Sequence, residues 1–543
     1  MRGDAAEAAM LEKGVALVNT LGIKSDLDLG PIVDPAVPFE GDPLLHQRLS
    51  HMYDAGAWVL MESALADLPA DLRWLFESGA VTLPQLAAIH EATGATAASD
   101  IRVAIDDGSL RRVPGLDDAT EKAIVEALPA LRATAPRTAL GRAITIADPI
   151  LARLRETPGI DWAMPAGSLR RAEETVGDID IVASAPDPSA AIEELSRHQD
   201  AGRVLHRSER RIYFLLDRAQ LGVRFPDPVQ AGSTLWRLTG SVAHVAAIGR
   251  LAKQRGVDLL TAATEEELYA RVDLPFIPAE IREGEDEIAA AREGRLPLLI
   301  SRAHIRGDLH MHTSFSDGRD TVEAMITECH RLGYEYMAIT DHSQNAGTSR
   351  TLTADGIAQQ ADEIAAMRER FPSMAIFHGC EVDIMPDGRL DFPDRILEKF
   401  DIVLASLHDS AGHDPDRLEK RYVAAMKHPL VTLITHPTNR LLPHRRGYRL
   451  DWDRMFAMAI ETKTFMEVDG APGHLDMDGA LARRAIAAGV TVMIDSDSHR
   501  AEMLGRQMDL GVATARRGWV EPKHVVNTRP AAEVRALIKS KRT

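Results

Sequence analysis

Cysteine is almost missing from this chain: Cys329 and Cys380 are the two in 543 residues. Two thiols cannot build a disulfide framework, and their scarcity suits a reducing cytoplasm. Aromatic residues are few as well, 5% of the chain against 45% hydrophobic residues in all, so Ala and Leu must fill the cores. No apolar run approaches the roughly 20 residues that a membrane-crossing helix takes. Met1 to Lys13 scatter charges through their apolar positions, which excludes the apolar stretch of a signal peptide there. A soluble, cytoplasmic monomer without a membrane partner is expected. Lysine is absent between Lys24 and Lys122, so that stretch lacks the amine a Schiff-base lyase needs.

Positive charge is short overall, with a net charge of −18, which excludes a protein that grips nucleic acid over its whole surface. Residues 130–256 differ: they hold 18 Lys and Arg against 14 Asp and Glu. Nearly all of that positive charge is arginine, the side chain that best forks onto phosphate. The length leaves room for three or four domains.

What the chain has in quantity is a repeated pattern in its C-terminal third. His310 and His312 stand two apart at the end of a predicted strand, so both point to one side, and Asp317 follows in a turn. Further short apolar runs end in the same residue types: 336–340 in Asp341 and His342, 374–377 in His378 and Glu381, 402–407 in His408. The runs 431–435, 464–468 and 491–494 end in His436, in Asp469, and in Asp495, Asp497 and His499. Helical stretches are predicted between them, as at 321–332, 354–371 and 479–489. Strand, donor, helix, about seven times over, describes a parallel barrel with its chemistry where the strands end. His, Asp and Glu without Cys suit Mn, Zn or Fe, ions that lower the pKa of water toward neutrality. A phosphate ester is the natural target, with Arg350, Arg440 and Arg500 as candidates to hold its oxygens.

The runs GDLHMHTSFSDG (307–318), ITDHS (339–343), GCEVDI (379–384), SLHD (406–409), THPTNR (435–440) and DSDSH (495–499) resemble the PHP phosphoesterase domain over 303–543. That resemblance implies a distorted (β/α)7 barrel. It also implies metal ligands at His310, His312, Asp317, His342, Glu381, His408, His436, Asp497 and His499, around three ions of Mn2+ or of Zn2+/Fe2+. No position of the set is substituted. Asp469 and His474 depart from the family, standing where relatives usually show Asn and Arg, which bears on substrate contacts.

The rest of the chain divides, on this reading, at 1–60, 61–135, 136–260 and 261–302. Residues 1–60 receive no function; a helix is expected over Leu11 to Leu21, broken by Pro31, Pro35 and Pro38. Leu45 to Leu65 has amphipathic helical spacing. In 61–135, Val113 to Thr120 places Gly115 in a turn before a helix, where backbone N–H groups can meet a phosphate. This resembles the second hairpin of a helix-hairpin-helix DNA-binding unit; the first, near Gly79 to Leu86, lacks the Gly-x-Gly turn.

In 136–260, Gly167 and Ser168 open a turn fit for a triphosphate, with Arg171 beside them. Asp178 and Asp180 alternate with apolar residues on a strand and can bridge Mg2+ ions for phosphoryl transfer. Leu238-Thr239-Gly240-Ser241 and His244 complete a pattern that resembles the palm of a family X DNA polymerase, with Gly240 and Ser241 as further substrate contacts there, as Arg440 is at the barrel. That family needs a third aspartate, and Gly222 stands there; Asp217 and Asp227 are poorly placed to replace it. Arg237-Leu238 replaces an aromatic pair, and Val242 and Val245 replace polar residues. Losing one preorganised charged group costs about 10²–10³ in rate, so the polymerase site is expected to be impaired.

The Pro-punctuated stretch 273–291 resembles the connector of bacterial family X polymerases that carry a PHP domain, and the resemblance then covers about 65 to 543. The expected fold is multidomain α/β: a helical helix-hairpin-helix region, an α+β nucleotidyltransferase-like palm and the barrel. The resemblance implies a DNA-repair protein with 3′→5′ exonuclease action on gapped or 3′-ended DNA, with dNTP as a second partner if the palm still works. An active gap-filling polymerase, a small-molecule phosphatase and a non-enzymatic DNA-end scaffold stay open as alternatives.

Overall fold

A computed structural model of the chain describes residues 70–542, apart from 96–97, 107, 135–136, 198–202, 217–218, 347–349, 409–413 and 443–444; before residue 70 it describes Leu45 and Leu49. The readings made for the other residues of 1–69, and for Asp217, lie outside the described residues. The chain forms two compact units, Met1–Ala135 and Pro136–Thr543. Among the described residues no helix is long and apolar enough to cross a membrane.

From residue 70 on, the described part of the first unit packs the helices α1 (Ala70–Glu77), α2 (Leu83–Thr93), α3 (Ala98–Asp106) and α4 (Asp118–Thr134) around Leu72, Leu75, Leu86, Ile89, Ile101, Leu110 and Ile124. Two hairpins face each other in it. Gly79 (φ 75°) turns the chain into α2 and Gly115 (φ 81°) turns it into α4, a left-handed backbone that glycine adopts without strain. So the first hairpin keeps a glycine turn although its sequence lacks the expected spacing. Thr82 and Gln85 form a capping box on α2. The Gln85 amide also reaches across to the Gly115 carbonyl and Thr120 Oγ1, at 3.3 Å each. Asp117 Oδ1 accepts the Thr120 N–H (2.8 Å) and hydroxyl (2.6 Å), so part of the donor array at the start of α4 is already engaged.

The second unit holds, after a short strand at Thr138–Ala139 that pairs with Thr175–Val176, α5 (Leu140–Glu156) and a five-stranded mixed sheet. Its strands are β1 (Trp162–Pro165), β2 (Ile179–Ser184), β3 (Arg203–Arg207), β4 (Arg211–Leu216) and β5 (Ala219–Arg224), in spatial order β1-β2-β5-β4-β3. The short helix α6 (Gly167–Arg170) lies between β1 and β2. β2 is buried along its whole length, and Tyr213 of β4 pairs with Gly222 of β5. Helices α7 (Ala231–Thr239) and α8 (Val242–Arg255) follow, then a connector. The connector is held by Arg282, fully buried between the rings of Tyr269 and Phe276 and paired with Glu265.

The barrel has seven parallel strands in sequential order: β6 (Gly307–Asp308), β7 (Tyr336–Ile339), β8 (Ala375–Asp383), β9 (Ile402–Ser406), β10 (Val431–Ile434), β11 (Phe465–Asp469) and β12 (Val492–Asp495). Their apolar runs are buried on both faces, as parallel strands covered by helices must be. Tyr336, Ala338, Phe377, Ile402, Leu404, Leu433 and Met493 form one cluster with Val526, Val534 and Ile538, filling the barrel and closing its far end. The alternate residues Met337, Ile339, Val403 and Ala405 belong to a second cluster with the surrounding helices. Between β12 and β6 the ring is closed by single bonds: His312 N–H to Ser498 O (2.9 Å) and Asp497 N–H to His310 O (3.0 Å). The predicted helices are present at Val322–Arg331, Ala354–Arg370 (α9) and Gly479–Ala488.

Palm and barrel share apolar contacts. Leu475 and Leu510 of the barrel belong to the palm's cluster with Leu140, Ile181 and Phe214. Gly141 of α5 lies so close to Pro472 that a Cβ there would stand 2.8 Å from the proline Cβ.

Candidate metal centre

Because every strand of a parallel barrel ends at the same rim, residues just past those ends converge. All nine positions expected from the sequence do so. Glu381, near the end of β8, is their centre. Its Oε2 lies 2.9 Å from His342 Nδ1, 3.4 Å from His310 Nε2 and 3.5 Å from His312 Nε2. Its Oε1 lies 2.9 Å from His436 Nε2 and 3.6 Å from His408 Nε2. Asp497 Oδ1 is 3.0 Å from His312 Nε2 and 3.6 Å from His310 Nε2. Asp317 Oδ1 is 3.2 Å from His499 Nε2 and 3.5 Å from His342 Nε2. The imidazoles of His342 and His499 stack on His312, with centroids 4.2 and 4.4 Å away.

Three donor groups tight enough for an ion fall within this set: His312, Asp317, His342 and His499; His310, His312 and Asp497; and His342, Glu381 and His408. Glu381 is fully buried, yet its Oε2 makes no hydrogen bond in spite of three imidazole nitrogens nearby; His312 Nδ1, His342 Nδ1 and His436 Nδ1 are likewise buried without one. Buried polar atoms are almost always paired, so a bare carboxylate oxygen amid imidazole nitrogens fits a cation. Mixed N and O donors without sulfur fit Zn, Mn or Fe.

The buried carboxylates dominate the electrostatics of this rim. Burial alone would push the His310 imidazole down, but Glu467, Glu381 and Asp497 carry it well above the usual histidine range. Burial and the neighbouring His342 and His499 push His312 down to about 4. His408 and His499 are each raised to about 9, against burial, by Glu381 and Asp383 and by Asp317 and Asp497 respectively. The left-handed region holds four non-glycine residues of this rim, His436 (φ 24°), Asn439 (50°), Leu475 (44°) and Asp497 (48°), strain of the kind that gathers at functional sites.

A supporting layer surrounds these donors, and two of its members, Glu467 and Asp383, were not foreseen from the sequence. Glu467 of β11 takes His310 Nδ1–H at 2.7 Å and accepts the His436 backbone N–H at 2.6 Å. Asp383 lies 3.1 Å from His408 Nδ1. Asp341 accepts from Thr313 N–H (2.8 Å), the Thr313 hydroxyl (2.6 Å) and Ser316 N–H (3.1 Å), and the Gln360 amide of α9 donates to it at 2.6 Å. A carboxylate inside an apolar run reads in the sequence as an isolated polar residue, and its partner is far along the chain.

The arginine candidates are placed differently. Arg440 is buried; it donates to the carbonyls of His474 (2.8 Å) and Leu475 and pairs with Glu174 at 2.7 Å. Arg350 donates to the Gly318 carbonyl at 3.2 Å, and Arg500 pairs with Glu502 at 3.3 Å.

The palm holds no comparable cluster among the described residues. Asp180 is buried with its Oδ1 3.4 Å from Arg224 Nη2, and Asp178 is half-buried just ahead of β2. Gly222 is not simply a missing carboxylate. A Cβ there would stand 2.5 Å from Tyr213 Cε1 and 3.2 Å from Asp180 Oδ1, and the Tyr213 ring, fully buried, lies under the Arg224 guanidinium (5.6 Å). An arginine and a phenol ring thus occupy the space beside Asp180. This does not fit a Mg2+ pair. Asp227 is exposed and pairs with Arg210 at 3.0 Å.

Gly167 (φ 62°) opens α6 and Ser168 gives its carbonyl to the Glu173 N–H. Arg171 is buried, bonded to the Thr239 carbonyl (2.6 Å), to Glu283 (3.2 Å) and to Glu173. Ser241 caps α8 by accepting the His244 N–H at 3.0 Å, and Gly240 packs on His244 and Val245. His244 is fully buried between Glu287 (2.7 Å) and the Tyr269 hydroxyl (2.8 Å).

A parallel barrel with a histidine- and carboxylate-lined rim, joined to a nucleotidyltransferase-like palm, defines a metal-dependent phosphoesterase of the PHP type with a family X appendage. A model of the PHP domain family matches residues 308–447. The DNA polymerase/3′-5′ exonuclease PolX of Bacillus subtilis (strain 168) is 34% identical over 502 residues, 90% of this chain and 88% of its own length. A probable phosphatase of Caldanaerobacter subterraneus subsp. tengcongensis is 31% identical over 210 residues, 37% of this chain and 78% of its own. Another, of Thermoanaerobacter sp. (strain X514), is 30% identical over 210 residues, 37% and 81%. The chain belongs to the PolX family, the family X DNA polymerases that carry a C-terminal PHP domain.

Proposed function

We propose that the barrel hydrolyses phosphodiesters at DNA 3′ ends, as a 3′→5′ exonuclease. In this reading the palm and the helical hairpins hold gapped or 3′-ended DNA without transferring nucleotides. The observation that carries it is the bare, fully buried Glu381 Oε2 amid the imidazoles of His310, His312 and His342. The PolX relative, named for polymerase and 3′-5′ exonuclease activity, supports DNA as the substrate.

His310, His312, Asp317, His342, Glu381, His408, His436, Asp497 and His499 hold three ions of Mn2+, Zn2+ or Fe2+ in this reading. Ions there supply Lewis acidity to phosphate oxygens and bring the pKa of water toward neutrality. The protein's part is to aim the donors. Glu467, at His310 Nδ1, leaves Nε2 to face the cluster, and Asp383 does the same for His408; such partners fix tautomer and ring angle. Asp341 steadies the turn that carries Asp317. On the polymerase side, Gly115, Gly167, Ser168 and Gly240 serve as backbone and hydroxyl contacts to DNA rather than as a catalytic set, while the Ser241 hydroxyl caps α8. The two buried free thiols, Cys329 and Cys380, support a reducing cytoplasm.

The test is a gapped duplex carrying a 5′ label on the strand with the exposed 3′ end, incubated with Mn2+, with and without dNTPs. Shortening from the 3′ end is expected from the wild type and from Asp178→Asn, and is lost in His310→Ala and Asp497→Ala. Loss in Asp178→Asn, or hydrolysis of a phosphomonoester with no shortening of DNA, overturns the reading.

A further inference from the structure

The rim carries a fourth group of donors, two of whose three residues lie outside the nine-residue set. Asp469, the last residue of β11, is fully buried; its Oδ1 accepts the Ala471 N–H at 2.5 Å, and its Oδ2 has no hydrogen-bond partner. In the loop that follows, His474 places Nδ1 2.9 Å from the Arg440 carbonyl. A carbonyl only accepts, so Nδ1 carries the hydrogen and Nε2 keeps its lone pair. Its ring stacks on His436, with centroids 5.1 Å apart and planes 20° apart. One donor atom each from Asp469, His474 and Asp497 lie within 4.8 Å of one another.

Hydrogen bonding alone does not satisfy this arrangement. An ionised Oδ2 is a buried charge without a protein donor, and a protonated one is a hydroxyl without a protein acceptor, each costly when buried. A divalent cation removes the problem. It also matches the histidine, whose other nitrogen is held by a carbonyl in the manner usual for metal-binding imidazoles. The loop is well braced for the purpose: Arg440 binds the carbonyls of His474 and Leu475, Leu442 N–H bonds the Gly473 carbonyl at 2.7 Å, and Pro472 packs on Gly141.

We propose that Asp469, His474 and Asp497 form an additional divalent-cation site of the transition-metal class, adjoining the main cluster through Asp497. Two carboxylates and one imidazole favour Mn2+ or Zn2+ over Mg2+, which prefers oxygen ligands and its own waters. His474 is half-buried, so this is an ion site with positions left for water or a phosphate oxygen. It rests on the hydrolase reading only in sharing Asp497.

The experiment loads the full chain with Zn2+ or Mn2+, removes free ions on a desalting column and counts bound metal by elemental analysis. Wild type, Asp469→Asn, His474→Gln and Asp317→Ala/His499→Ala are compared, with far-UV circular dichroism confirming the fold. Asp469→Asn and His474→Gln are each expected to hold one ion fewer than wild type and to keep the rest. The Asp317→Ala/His499→Ala variant is expected to lose ions from the main cluster and to keep the one that His474→Gln loses, so that combining the sets adds the losses. Unchanged counts in both Asp469→Asn and His474→Gln overturn this site alone. Loss of every ion from His474→Gln also overturns it, by making the residue part of one indivisible cluster. A wild type that binds no metal overturns both this site and the hydrolase reading.

Discussion

Gly222→Ala tests the claim that the palm site is filled rather than merely lacking a carboxylate. Replacing glycine in a strand interior by alanine ordinarily stabilises, by roughly 0.5–1 kcal/mol. At Gly222 the new methyl would stand 2.5 and 2.8 Å from Tyr213 Cε1 and Cδ1, where carbon atoms in good contact sit roughly 3.5–4.0 Å apart. Tyr213 is fully buried, pairs with Gly222 in register and lies under Arg224, so the ring cannot swing out to solvent. Overpacking of this kind costs about 1–3 kcal/mol, enough to reverse the usual sign. The assay is a double-mutant cycle with Tyr213→Ala, read from urea unfolding followed by tryptophan fluorescence. Gly222→Ala should destabilise the wild type and be neutral or stabilising in the Tyr213→Ala background, a coupling of about 1–3 kcal/mol. A Gly222→Ala variant as stable as wild type, or more so, refutes the packing argument. So does Mg2+-dependent primer extension by Gly222→Asp alone, since that carboxylate would have to enter the space the phenol ring holds.

Three further outcomes are expected. Burial lowers His378 to about 4, so the folded protein keeps it neutral while the unfolded chain protonates it near its ordinary value; the unfolded state binds more protons, and stability falls as the pH drops from about 6.5 to about 4, by up to about 3 kcal/mol. His378→Gln should flatten that slope when urea midpoints at pH 7 and pH 4.5 are compared. Glu265→Gln leaves the fully buried Arg282 without its carboxylate and should cost about 3–5 kcal/mol, read as a lowered unfolding midpoint. Gln360→Leu removes the amide that ties Asp341 to α9 and should weaken metal binding about 10–100-fold in competition with a chelator, while the circular dichroism spectrum stays that of wild type.

The barrel was legible because its chemistry sits at a fixed phase of a repeated unit. Thr340 to His342, Ser406 to His408 and Thr435 to His436 each end a short apolar run, and a parallel sheet sends all such ends to one rim. Asp469 and His474 were visible as departures, but that they reach Asp497 depends on the course of the loop past Pro472. Glu467 and Asp383 were hidden because a donor within a strand has no spacing to betray it. The palm shows the limit most plainly. The absence of a carboxylate at Gly222 can be read from the chain, whereas its replacement by the Tyr213 ring depends on the register of β4 against β5. Arg171, Ser241 and Arg440 have the chemistry of phosphate contacts in any sequence; only tertiary structure reveals that Arg171 spans Thr239 and Glu283, that Ser241 caps a helix and that Arg440 binds two carbonyls.

That last arginine explains why a palm without its third carboxylate still matters to the barrel. Arg440 leaves the end of the segment after β10, crosses to Glu174 in the palm and holds the carbonyls of His474 and Leu475 on the way. Leu475 and Leu510 complete the palm's own apolar cluster, Gly141 of α5 admits Pro472, and Arg506 donates to the Gly141 carbonyl (3.1 Å) and to Thr145 Oγ1 (2.8 Å). The loop from Asp469 to Leu475 is therefore braced on one side by barrel strands and on the other by the palm. Strain at Leu475, in the left-handed region, persists only where such surroundings over-determine the backbone. Part of the metal rim is thus built by the palm, whose packing serves the barrel's chemistry whether or not its own strands still transfer nucleotides.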